Sequence, residues 1–154
     1  MVTESSRNFV FRPKSAGQPP GLPAEPAGST GLFVFHNATP VSDAREEWHR
    51  LIREYGDQID FAAPVIVDSQ GRQMLPTGRI VVEFYNLPSN ETLEQLQNTY
   101  GLRYLKTNEF KKEQVSFEAL DPKAVYPPDL LAKLASDSRV KLALPETMAR
   151  YSRI

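Results

Sequence analysis

RIVVEFYNLPSNETLEQLQNTYGLRYL, residues 79–105, reads as a strand, a helix and a second strand in direct succession. Arg79 to Tyr85 is dominated by β-branched and aromatic residues. Alternation along it puts Ile80, Val82 and Phe84 on one side and Val81, Glu83 and Tyr85 on the other. Ser89 or Asn90 can cap the helix that follows, in which Leu93, Leu96 and Tyr100 recur at helical spacing. Gly101 then supplies the stop, because glycine tolerates the left-handed turn that ends many helices. Leu102 to Leu105 resumes as strand.

Towards the C-terminus the same alternation of elements continues. Gln114 to Leu120 is a further strand, paired to Leu102–Leu105 through the polar connector Lys106 to Glu113. Pro127 and Pro128 suit the first turn of a helix, where a missing N–H costs nothing, and Leu130, Leu131, Leu134 and Ala135 face inward. Val140 to Leu144 is the last strand. The order βαββαβ implies an α+β, ferredoxin-like antiparallel sheet with both helices on one face. Its other face would carry Val81, Glu83 and Tyr85, joined by Leu105 and Ala143, and is suited to docking another protein.

Towards the N-terminus the pattern is less complete. Phe9 to Arg12 reads as strand, and residues 15–31, SAGQPPGLPAEPAGSTG, follow as loop or linker. Prolines at 13, 19, 20, 23 and 26 fix φ and remove backbone donors, which excludes a helix or a central strand there. Leu32 to His36 is a strand. Asp43 with Glu46 three residues on marks a helix start, and Trp48, Leu51, Ile52 and Tyr55 share one face. Gly56 is read as a left-handed stop. Ile59 to Val67 is a strand held to an edge or a bulge by Pro64, and Asp68 to Gly71 is a turn.

An internal repeat joins the halves. QIDFAAPV, residues 58–65, and RVKLALPE, residues 139–146, share the pattern Ile/Val-x-Phe/Leu-Ala-x-Pro directly after a helix. The proline-rich stretch stands where the first helix of a complete unit would be. The expected domains are therefore residues 1–73, a truncated ferredoxin-like half-unit with the Pro/Gly-rich loop 13–31, and residues 74–154, a complete unit with a C-terminal tail at 147–154. A half-unit of about 70 residues is marginal by itself.

Composition removes several classes of function. The 154 residues are 40% hydrophobic and 24% charged, with 18 basic against 19 acidic side chains, a net charge of -1. That is a globular composition with no broad positive field for a phosphate backbone. The absence of cysteine removes disulfides, thiolate nucleophiles and thiolate metal sites. The first residues lack the basic start and apolar run of a secretory signal, and no apolar stretch is long enough to span a bilayer. These features imply no membrane contact and a cytoplasmic location, with an exported, processed fragment as the alternative.

No catalytic constellation emerges. Neither a Gly-x-Ser-x-Gly nor a phosphate-binding loop occurs, and no pair of carboxylates stands out as acid and base. His36 and His49 without cysteine make a poor zinc site and read as polar or capping residues. VEFYNLP, residues 82–88, resembles the first-strand motif of RNA-recognition folds. Its companion should be basic and aromatic, whereas residues 113–120 read EQVSFEAL, so nucleic acid is not expected as a partner.

From Pro76 onward the chain resembles the propeptide-inhibitor domain of subtilisin-type proteases. The stretch Phe61 to Phe84 resembles the join between two such units in tandem, fervidolysin-like precursors, here without the protease domain. PTGRIVVEF, TYGLRYL and LAKLASDSRVKLALPE carry the likeness in the right order. The resemblance implies an inhibitor and folding chaperone whose sheet packs on the protease and whose C-terminal tail enters the cleft as an added strand. It places Glu146 against a protease helix N-terminus and Tyr151 in a substrate subsite. Met148, Arg150, Ser152, Arg153 and Ile154 complete the arm, and Glu83 and Tyr85 contribute from the sheet face. The expected partner is thus a subtilisin-like serine protease, with no catalytic role and no cofactor or metal. A non-catalytic adaptor that assembles as a homo-oligomer is the alternative, and an RNA-binding module ranks below it.

Overall fold

The computed structural model describes residues 3–14, 24–27, 31–37 and 43–149. Three helices and eight strands lie among them, and every recorded strand register is antiparallel. The chain is therefore α+β. It divides into two compact units, Met1–Thr77 with Thr147–Ile154, and Gly78–Glu146.

The first unit contains β1 (Thr3–Pro13), β2 (Ala24–Pro26), β3 (Phe33–His36), α1 (Ala44–Tyr55), β4 (Ile59–Val67) and the opening residues of β5 (Gln73–Phe84). β1 lies between β3 and β4, and β2 lies outside β3. Phe9 faces Phe35 and Phe11 faces Phe33, whose rings stack at 5.7 Å. Val10, between them, faces Val34 on one neighbour and Ala63 on the other. Phe9, Val10 and Phe11 are all buried, so both faces of β1 are covered. Such strands read as near-continuous apolar runs, which is what FVF and, from Phe61 on, FAAPVIV are.

α1 begins where Asp43 accepts the amide of Arg45 at 2.9 Å, satisfying a donor that the first helical turn leaves unpaired. Trp48 and Leu51 are buried, and the Trp48 indole N–H donates to the Ala62 carbonyl at 2.7 Å. The end of the helix departs from the sequence reading. Gly56 is right-handed, at φ -55° and ψ -30°, so it is not a left-handed stop. Glycine fits there because a Cβ would run into the Ile52 carbonyl. The proline-rich stretch also yields more order than a plain linker, since β2 lies within it. At three residues, outermost and containing Pro26, β2 is the kind of edge strand that proline permits.

The second unit contains the rest of β5, α2 (Asn90–Tyr100), β6 (Leu102–Thr107), β7 (Gln114–Ala119), α3 (Pro127–Ala135) and most of β8 (Val140–Ala149). β5 pairs with β7 and β8, and β6 lies outside β7. Ile80, Val82 and Phe84 pack with Leu96 of α2 and Leu130 and Leu134 of α3. Burying each of these stabilises the fold by roughly 1.5–3 kcal/mol before entropy is counted. Ser89 caps α2 by accepting the Thr92 amide at 3.1 Å. Gly101 is left-handed at φ 65° and Pro127 opens α3.

Three expectations about this half change. β5 starts at Gln73 rather than Arg79 and pairs Ile66 and Val67 with Met74 and Gln73 before it reaches β7. A strand of 12 residues is long enough to serve two neighbours in succession, so the strand order along the chain differs from that of a free four-stranded layer. β8 does not stop at Leu144 but continues to Ala149, so the start of the expected tail is strand. Ala143 packs against the helix-side core together with Val140. The expected place of Ala143 was the open face, on the opposite side of the sheet from this core.

Candidate protein-docking site

β5, β7 and β6 of the second unit place Arg79, Val81 and Glu83 opposite Glu118, Ser116 and Gln114, and Arg103 opposite Glu118. The face away from the helices is therefore mostly polar. Arg103 and Glu118 form an ion pair across the strands.

Glu83 is the centre of this face and is only 3% exposed. Lys111 approaches one carboxylate oxygen at 2.5 Å and Lys141 the other at 3.5 Å, and the Gln114 side-chain amide donates at 3.2 Å. Hydrogen bonds from Lys111 and Gln114 hold the Glu83 carboxyl below the usual carboxylate range, and the same contact pushes the Lys111 ammonium up. A carboxylate committed in this way organises its own surroundings.

Tyr85, expected beside it as a docking residue, is 61% exposed. Its amide donates to the Arg139 carbonyl at 3.2 Å. With Lys141 on Glu83, this contact makes β8 run antiparallel to β5. β8 thus leaves the second unit at the Arg79 end of β5.

The remaining expected contact residues lie on or beyond β8. Glu146 and Thr147 are half-buried and Met148 is exposed. Arg150, Tyr151, Ser152, Arg153 and Ile154 lie outside the described residues. The structure therefore brings Glu83 and Tyr85 together at one end of β5 and sets Glu146 and Met148 towards the far end of β8.

One further surface residue stands out. Phe110 is 97% exposed at the tip of the connector between β6 and β7, which was read as merely polar. A lone aromatic in a charged loop, with an Asn two residues before it, was the available signal. Asn108 accepts the amides of Phe110 at 2.8 Å and Lys111 at 3.3 Å, shaping a side-chain-closed turn.

The histidines have separate roles: His36 pairs with the Asn8 side chain, and His49 lies edge-on to Trp48 at 5.0 Å. Among the described residues no group of three or more His, Asp or Glu side chains is placed to hold a metal ion. No helix among them is long and apolar enough to cross a membrane. No family model, curated protein or solved structure matches the chain.

Proposed function

We propose that the chain is a non-catalytic protein-binding module of the propeptide-inhibitor kind, acting as an inhibitor or folding chaperone of a subtilisin-like serine protease. Its second unit is read as a ferredoxin-like layer that serves as the platform for a C-terminal arm.

The observation that carries the reading is the path of β8. It flanks β5 and runs as strand to Ala149, the last described residue. An extended segment offers a cleft its main-chain donors and acceptors with little further ordering, and alternate side chains can fill subsites. The strand order β8-β5-β7-β6, with α2 after β5 and α3 after β7, supports the ferredoxin-like reading. An adaptor role would need the same open face but gives no reason for so long a terminal strand.

The test is inhibition of purified subtilisin hydrolysing a chromogenic peptide. The full chain is expected to inhibit, and a chain ending at Ala149 to keep its circular dichroism while its inhibition constant rises by about a hundredfold. That loss corresponds to about two anchoring side chains at tenfold each. Failure of the full chain to inhibit, or equal inhibition by both, overturns the reading.

A further inference from the structure

We infer that the loop between β6 and β7 is a self-association site at which Phe110 meets Phe110 of a second copy of this chain. The loop is built to hold that ring in water. Asn108 closes its first turn onto Phe110 and Lys111, and its side-chain amide donates to Gln114 Oε1 at 3.0 Å. The Gln114 amide donates to the Lys111 carbonyl at 3.0 Å and the Phe84 amide to the Glu113 carbonyl at 2.9 Å. Lys111 is tied to the buried Glu83. A backbone fixed beneath an aromatic ring leaves only the two side-chain torsions to order on contact, which suits an interface anchor.

Charge selects the occupant. Residues 109–113 read Glu-Phe-Lys-Lys-Glu, and Lys111 is engaged with Glu83. Glu109 and Lys112 flank the ring, are exposed, and make no ion pair among the described residues. In a twofold contact residue i of one copy meets residue j of the other and the reverse. Two such loops meeting antiparallel place each Glu109 against the partner copy's Lys112, with the rings at the axis. The loop is thus complementary to itself, whereas a polyanion would meet Glu109 and Glu113 as well as the lysines.

Area sets the strength. A buried aromatic covers about 150–250 Å², and a standard interface needs about 800 Å² from each partner. The dimer is therefore weak and appears only at high concentration. It uses the Phe84 end of β5, opposite the Arg79 end at which β8 leaves the second unit.

Sedimentation equilibrium of the full chain from about 10 μM to about 1 mM tests this. The mass is expected to rise towards that of a dimer across the range. Phe110→Ala should raise the dimer dissociation constant about tenfold or more. Glu109→Lys and Lys112→Glu should each weaken the dimer, and the two together should restore it, because the reversed pairs again attract. A monomer at every concentration, a dimer indifferent to Phe110→Ala, or a double variant no better than either single one overturns the inference.

Discussion

Asp137 shows how much one side chain organises in the second unit. It accepts the Tyr100 hydroxyl at 2.8 Å and two guanidinium nitrogens of Arg139, at 3.0 and 2.9 Å. Arg139 in turn donates to Gln95 at 3.1 Å, so the cluster joins α2 to the turn before β8. The Arg139 hydrogen bonds hold the Asp137 carboxyl far below the usual carboxylate range. A folded-state value below the unfolded one, which is about 3.9, contributes stability above the unfolded value and loses it as pH falls towards the folded one. Asp137→Asn should therefore cost about 1–3 kcal/mol at pH 7, and the difference from the parent should shrink below about pH 4. Urea unfolding of both chains at pH 7 and pH 2.5 checks this, and equal midpoints at pH 7 contradict it. Gly101 makes a second test. Its left-handed φ of 65° lies in open space, so Gly101→Ala pays only backbone strain, about 1 kcal/mol, while Gly101→Asn costs less. At this scale the sequence was informative where a residue's chemistry is local: Ser89, Gly101 and Pro127 all act as their types require. Gly56 differs because a close approach to the Ile52 carbonyl and a left-handed turn both favour glycine, and the residue type carries no sign of which applies.

At the scale of elements, a buried hydrogen bond helps fasten α1 to its sheet, from the Trp48 indole to the Ala62 carbonyl. Trp48→Phe keeps most of the apolar volume but leaves that carbonyl without its donor inside the core. The expected cost is about 1–3 kcal/mol, less than the 3–5 kcal/mol typical of truncating such a ring to alanine. Chemical denaturation of Trp48→Phe, followed by far-ultraviolet circular dichroism, gives the value, and a midpoint equal to the parent's refutes it. The loop between β6 and β7 depends on a different element, because Lys111 reaches back to Glu83 on β5. Glu83→Gln removes the charge that holds Lys111, so amide exchange at residues 108–113 should quicken several-fold while that of α2 does not change. Uniform exchange rates across the two variants exclude the tether. The helices were legible from caps and apolar stripes, which are local signals. The length of β5 was not, because Gln73–Thr77 lacks an apolar alternation and is strand only through its pairing with β4.

At the scale of the molecule the two units share one arrangement of strands. In each, the first strand lies between the third and the fourth, and the second lies outside the third: β2-β3-β1-β4 in one unit and β6-β7-β5-β8 in the other. A helix joins third to fourth in both, as α1 and α3, and among the described residues a helix from first to second occurs in the second unit alone. The repeat QIDFAAPV and RVKLALPE marked this equivalence because it falls on β4 and β8 and the residues before them. The physical consequence is an imbalance of cover. The second unit buries its core under two helices, whereas Val10, Val34, Phe61 and Val65 of the first form a buried cluster with no helical residue among those described. Residues 78–149 produced alone should therefore unfold in one cooperative transition and bind little of a hydrophobic dye such as ANS. Residues 1–77 produced alone lack the Thr147–Ile154 segment of their unit, and any part of that cluster left uncovered is a contiguous apolar patch that drives aggregation or dye binding. Gel filtration and ANS fluorescence of the two pieces decide the matter: a monomeric, dye-silent 1–77 would contradict the imbalance of cover.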